Sequence, residues 1–350
     1  MKIWEIDKNF KLPGLEEDLK ADIYNIKENQ FCLLGLIADS VFRRMPEDIA
    51  VKTNEGVKKL HTHTAGGRLR FITDSEFVSL KAVYPYITDF YHMPRTGSSG
   101  FDIYVNGIYY GIIAPDSTVL ENEFGGTRHL GEGVKEIIIN FPLYNPVSEL
   151  FLGLAEGAVF KKAPEFEIEK PIVFYGSSIT QGGCVSRPGL SYPAHISRKL
   201  NLDYINLGFS GSCKAEEVMG EYLSELPMSV FVYDYDHNTP DIEHLKNTHE
   251  RLFKQIREKN PTLPIIIISM PDIKFWNQFN DTAIKRREII KKTYENAVNS
   301  GDKNVYFIDG ETLWGEIDWD SCTMDRCHPN DIGHYRMAEK IAPIIKKALK

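Results

Sequence analysis

Two hydropathy rhythms divide the chain. Up to about residue 160, short apolar stretches alternate with polar residues at period two, which turns one side of a strand toward a core. Arg68-Leu69-Arg70-Phe71-Ile72 has this pattern. So does Asp102-Ile103-Tyr104-Val105, which meets Ile108-Tyr109-Tyr110-Gly111-Ile112 across Asn106-Gly107. Asn-Gly between two such runs predicts a hairpin. Further strands are expected at 77–82, 136–141 and 149–153, and helical periodicity is scarce. Many short antiparallel strands predict a β-sandwich, jelly-roll-like, over residues 1–160.

Residues 161–170 are charged and include Pro164, and are read as a linker. From Pro171 the rhythm changes. Apolar runs at 172–175, 204–207, 230–233, 265–268 and 305–308 alternate with helical stretches at 192–200, 242–259, 282–299 and 331–349. Such alternation predicts a five-stranded parallel sheet covered by helices on both faces, a flavodoxin-like α/β/α domain over 171–350. Ligands of such sheets bind at the carboxyl ends of the strands.

Composition narrows the partners. The 350 residues are 42% hydrophobic and 26% charged, with a net charge of −8 and a pI near 5.7. This argues against an electrostatic nucleic-acid binder. The start, Met1-Lys2-Ile3-Trp4-Glu5, lacks a basic stretch followed by an apolar one, so no secretory signal is expected, and no apolar run reaches the length of a membrane span. Five scattered cysteines (Cys32, Cys184, Cys213, Cys322 and Cys327) suit a reducing cytoplasm better than a disulfide scaffold, and without a CxxC pair they read as ordinary thiols.

Four polar blocks fall at predicted strand ends. Ser178 in Tyr175-Gly176-Ser177-Ser178-Ile179-Thr180 follows the first strand of the second domain, without the G-x-S-x-G spacing of a nucleophile elbow. Alone, Gly-Ser-Ser is more often a turn. Asn206-Leu207-Gly208-Phe209-Ser210-Gly211-Ser212 follows the second strand, and the Gly211 N–H can face a developing oxyanion; the plain alternative is a strand-ending loop. Tyr233-Asp234-Tyr235-Asp236-His237-Asn238 ends the third strand. The Asn238 amide can donate to the same oxyanion, or cap a helix. Its acids and histidine also allow a metal site, but no matching ligand cluster is evident. The fourth block, Asp325-Arg326-Cys327-His328-Pro329, has a D-x-x-H spacing that Asp241/His244 and Asp331/His334 share. Only Asp325/His328 is expected in the loop after the last strand. Pro329 keeps His328 out of helical geometry, so the carboxylate can reach Nδ1 while Nε2 faces the serine.

Taken together, Gly176-Ser177-Ser178, Gly211, Asn238 and Asp325-x-x-His328 resemble the four blocks of the SGNH (GDSL-type) hydrolases. Gly100-Phe101-Asp102-Ile103-Tyr104 resembles the Gly-x-Asp-Leu-Tyr signature of the branch with a β-rich N-terminal domain, with Ile for Leu. The resemblance implies Ser178 as nucleophile, His328 as base then acid, and Asp325 as its orienter. It implies an oxyanion hole from Ser178 N–H, Gly211 N–H and Asn238, with no metal or organic cofactor. The family usually has Asp where this chain has Ser177, which leaves Ser177 a formal rival nucleophile.

The function expected is a cytoplasmic serine esterase acting on short acyl esters. The expected substrate is an acetylated sugar or oligosaccharide, by association with relatives that carry a β-domain. A thioesterase or lysophospholipase-like acylhydrolase, or a carbohydrate-binding protein with a silent hydrolase half, are the alternatives. No nucleic-acid or membrane partner is expected, and a homodimer stays open. Other residues have plainer readings. His61 and His63 read as strand histidines at the surface or a domain boundary. Arg187 and Tyr192 read as pocket-lining or packing. Trp276, Trp314, Trp319 and the Tyr104/Tyr109/Tyr110 cluster read as a sugar-stacking wall or as core.

Overall fold

The computed structural model describes residue 6 and residues 14–16, 18–116, 122–278 and 281–350. Two compact units emerge, neither continuous in sequence. One holds the chain up to Arg43, Thr62–Pro164 and Ser186–Gly189; the other holds Arg44–His61, Glu165–Val185 and Leu190–Lys350.

Among its described residues the first unit contains two larger antiparallel sheets, besides the short pair Ile37–Ala38 and Phe42–Arg43. One runs in the order Ala21–Asn25, Glu149–Ala155, Phe77–Val83, Glu123–His129. The other runs Lys161–Lys162, Arg68–Thr73, Lys135–Asn140, Phe101–Val105, Ile108–Ile113. Period-two alternation sets the register. Leu150, Leu152 and Leu154 stand opposite Ala82, Leu80 and Val78, and all six are buried in one core. Ile137 and Ile139 face Phe71 and Leu69 from the other sheet into the same core, while Arg70 and Glu136 form an ion pair beside them. The predicted hairpin closes through Asn106 (φ 49°) and Gly107 (φ 80°), both left-handed as a two-residue turn requires.

The residues of the Gly-x-Asp-Ile-Tyr signature have a local task in this unit. Asp102, fully buried, accepts from Asn140 Nδ2 at 2.7 Å, Gly189 N–H at 2.8 Å and Arg187 Nη1 at 2.9 Å. Tyr104 OH accepts from the same Arg187 nitrogen at 2.6 Å. A buried carboxylate is tolerated only when paired and hydrogen-bonded in this way.

The second unit is a parallel sheet of β1 (Ile172–Gly176), β2 (Tyr204–Gly208), β3 (Val230–Asp234), β4 (Ile265–Ile268) and β5 (Val305–Ile308), in the order β2-β1-β3-β4-β5. Alternation along each strand splits the side chains into two layers. Val173, Tyr175, Phe231, Tyr233, Ile265 and Ile267 pack in one core, against helices Glu217–Glu225, Ile242–Lys259 and Thr282–Asn299. Ile172, Phe174, Val230, Val232, Ile266 and Ile268 pack in the other, against helices Tyr192–Leu200 and Asp331–Ala348. Burial on both faces is why these strands read as continuous apolar runs. The crevice outside β1 and β3, where the strand order reverses, is where such a sheet takes a ligand.

Two features of the second unit were not legible. The helices Glu47–Thr53 and Glu55–Leu60 lie in a stretch read as poor in helix, and their Ala50 and Val57 enter its core. His61 then caps the second of these helices rather than sitting on a strand, with Nδ1 2.7 Å from Lys58 O. Among the described residues no helix is long and apolar enough to cross a membrane.

Candidate active site

The end of β1 leads straight into α1 (Ser178–Gln181). Ser177 is its N-cap, buried, with Oγ accepting the Ile179 N–H at 3.2 Å. Ser and Asp are equally good N-caps, so the hydroxyl can replace the family's carboxylate at this position. Its engagement in the cap separates Ser177 from its rival. Ser178 Oγ instead meets His328 Nε2 at 2.8 Å.

His328 is held by its own loop. Its Nδ1 lies 2.7 Å from Asp325 Oδ2, and Asp325 Oδ1 accepts the backbone N–H of His328 at 2.7 Å and of Cys327 at 3.0 Å. Partial burial pushes the Asp325 carboxyl up, but the His328 ring and these two amides outweigh it and hold it below its ordinary value. The loop is closed by Met324 N–H and Thr323 Oγ1, both donating to His328 O, and by Cys184 N–H donating to Pro329 O at 2.8 Å.

The loops after β2 and β3 join the same edge. Phe209 N–H donates to Gly176 O at 2.9 Å, and Ser210 N–H to Gln181 Oε1 at 3.0 Å. Asn238 Nδ2 donates to Phe209 O at 3.0 Å, and a carboxamide nitrogen carries a second hydrogen besides. Gly211 turns this loop with φ 66°, a conformation that suits glycine. The structure thus joins Ser178, His328 and Asp325 in one hydrogen-bonded chain, and ties the Gly211 and Asn238 loops to each other and to the end of β1.

Several supporting residues escaped the sequence reading. Arg44 donates to the carbonyls of Gly208, Asn206 and Leu60, and its guanidinium lies 4.3 Å from the Phe209 ring centroid. Asn54 Nδ2 donates to Ser212 O at 2.9 Å. Arg286 Nη1 donates to Asp236 O at 2.6 Å and Nη2 to Thr239 O at 3.1 Å, bracketing Asn238. These long-range contacts leave no local pattern, so no sequence signal could have found them.

The acids of the third block are engaged internally. Asp234 accepts from Thr180 Oγ1 and, at 3.2 Å, from Tyr192 OH; burial pushes its carboxyl up to about 7. Asp236 accepts the N–H of His237 at 3.1 Å and of Met270 at 3.0 Å, and burial raises it too. Tyr192 is therefore a buried packing residue, and Arg187 is bonded to Asp102 and Tyr104. Trp314 is buried in the core and Trp319 packs edge-on against Phe275, while Trp276 is partly exposed.

Residues 169–346 match the GDSL-like lipase/acylhydrolase family. Residues 23–160 match the GxDLY domain, the N-terminus of SGNH hydrolase-type esterases. No curated protein matches the chain. Among solved structures, a GDSL-like lipase from Bacteroides ovatus is 28% identical with a TM-score of 0.84, covering 94% of this chain and 98% of its own. The salicylyl-acyltransferase SsfX3 from a tetracycline biosynthetic pathway is 21% identical with a TM-score of 0.76, covering 94% and 99%. An acetyl xylan esterase, Est2A, from the rumen bacterium Butyrivibrio proteoclasticus has the same fold at 15% identity and a TM-score of 0.59, covering 94% and 99%. With more than half of its length matched by one family and most of the rest by that family's N-terminal partner domain, the chain belongs to the GDSL-like lipase/acylhydrolase family.

Proposed function

We propose that the protein is a serine esterase that removes short acyl groups, acetyl first among them, from carbohydrates. The observation that carries the mechanism is the chain Ser178 Oγ–His328 Nε2 at 2.8 Å and His328 Nδ1–Asp325 Oδ2 at 2.7 Å. Ser178 attacks the acyl carbonyl as His328 takes its proton, and Asp325 keeps Nε2 aimed at the serine and stabilises the imidazolium. The oxyanion is received by the N–H groups of Ser178 and Gly211 and by Asn238 Nδ2. His328 then protonates the leaving alkoxide and activates water for deacylation.

The sequence carries no long apolar lid, which favours short acyl groups, and the acetyl xylan esterase of the same fold suggests sugar esters as the first class to try. The test is hydrolysis of p-nitrophenyl esters from acetate to octanoate, with acetate release from acetylated oligosaccharides. Ser178→Ala is expected to lose at least about a thousandfold in kcat. Undiminished hydrolysis in that variant overturns the mechanism, and a strong octanoate preference overturns the substrate class.

A further inference from the structure

His237 and Cys327 each precede a residue of the site, Asn238 and His328, and their side chains meet. Cys327 Sγ lies 3.9 Å from His237 Nδ1, and His237 Nε2 lies 3.0 Å from Asp272 Oδ1. Asp272 is fully buried, and its second oxygen accepts from Trp276 Nε1 at 2.7 Å. Burial pushes the His237 ring toward neutrality, but the Asp272 carboxylate and the Cys327 sulfur outweigh it and hold the ring well above its ordinary value. Nε2 of the ring thus lies beside the carboxylate and Nδ1 beside the sulfur. The other four thiols are all buried. Burial pushes Cys32 and Cys184 up to about 12 and raises Cys213 and Cys322 as well, which leaves them protonated and shielded. Cys327 is half-buried.

We propose that Cys327 is a modification site: its thiol, set against the His237–Asp272 pair, reacts with small hydroperoxides, and the modified sulfur switches ester hydrolysis off. A cation beside the sulfur stabilises the negative charge that develops on the departing peroxide oxygen during attack. In the step, sulfur bonds to one peroxide oxygen and the O–O bond breaks. Sulfur is oxidised by two electrons to the sulfenic acid; the departing oxygen is reduced, takes the thiol proton and leaves as water from hydrogen peroxide or as the alcohol from an alkyl hydroperoxide. The added oxygen sits one residue from the His328 ring and against the neighbour of Asn238. The loss of hydrolysis, but not the modification itself, rests on the esterase reading above.

The experiment uses the full chain at pH 7 with iodoacetamide as the first probe, where an S–C bond replaces the C–I bond and iodide leaves. Peptide mass mapping is expected to find Cys327 alkylated before the other four cysteines, and about tenfold faster than Cys327 of the guanidinium-unfolded chain. His237→Gln and Asp272→Asn, each checked for folding by circular dichroism, are expected to slow it toward the unfolded rate. A native rate no faster than the unfolded one, or folded variants that both react like wild type, overturns the proposal. Hydrogen peroxide followed by dimedone is expected to tag Cys327; no tag overturns the oxidation step. Peroxide is then expected to abolish p-nitrophenyl acetate hydrolysis in proportion to tagging, reversibly with dithiothreitol, while Cys327→Ala keeps its own untreated rate. Full modification with undiminished hydrolysis overturns the switch. If untreated protein hydrolyses no ester, the esterase reading fails while the labelling result stands.

Discussion

Asp325/His328 and Asp331/His334 share one spacing six residues apart, and their surroundings make them opposites. The first pair lies in a loop, with its imidazole between a hydroxyl and a carboxylate, at 2.8 and 2.7 Å. The second lies in the helix Asp331–Ala348, with Asp331 in its first turn. There His334 is fully buried, accepts the Tyr192 N–H on Nδ1 at 3.2 Å and has Nε2 3.1 Å from Gly183 O. Burial pushes it down to about 4 from 6.5, so it works as a neutral bridge. The third copy, Asp241/His244, is spent on an N-cap, Asp241 Oδ1 accepting the His244 N–H at 2.7 Å. Spacing supplies the letters, and backbone conformation with burial decides their use.

The largest expected effect separates the two pairs directly. Asp325→Asn should lower kcat by about 10⁴-fold, because the amide favours the wrong tautomer of His328. Asp331→Asn should leave kcat nearly intact and cost only about 0.3–1 kcal/mol of stability, since a first-turn acid acts on the helix dipole. Comparable losses of kcat in the two would erase the distinction. Asn238→Ala should lower kcat by about 10²–10³-fold with little change in KM, the signature of a donor used in the transition state.

His334→Gln should shift the effect from rate to stability, costing about 2 kcal/mol in denaturant unfolding while activity per folded molecule persists. Its pH dependence is signed. Because the folded-state value lies below the unfolded one, the contribution of His334 is complete above about 6.5 and lost as pH falls toward about 4. The stability gap between wild type and this variant should therefore widen as pH rises through that window. Asp234 has the opposite sign. Its value is raised from 3.8 to about 7, so its contribution is complete below about 4 and lost as pH rises through about 7. Asp234→Asn should show a gap that narrows with rising pH; parallel slopes in the two variants would contradict these assignments.

The core strands and the long helices were legible because their signals are local. Helices Tyr192–Leu200, Ile242–Lys259 and Thr282–Asn299 fall where the periodicity placed them. The strand Ala21–Asn25, whose residues are all partly or well exposed, carries no clean alternation and was missed. So was the helix Glu217–Glu225, short and bounded by loops. Ser178, Gly211, Asn238, Asp325 and His328 were legible as blocks at strand ends, because the end of a strand is written in the same local pattern as the strand. Arg44, Asn54 and Arg286 were not, because each acts on a backbone group far away in sequence.

By itself, the sequence determined the elements, the parallel and antiparallel characters of the two units, and a short roster of residues with acyl-transfer chemistry. Period-two and helical periodicities are properties of neighbouring residues, and so are strand-ending turns. The tertiary structure decided which members of that roster meet. It gave Ser177 to a helix cap and Ser178 to His328, and it buried His334 while leaving His328 within reach of a hydroxyl. It also lent the stretch from Arg44 to His61 to the unit that carries the serine. Hydrogen bonds act over about 3 Å and desolvation depends on everything packed around a group, so neither can be read until the chain has closed on itself.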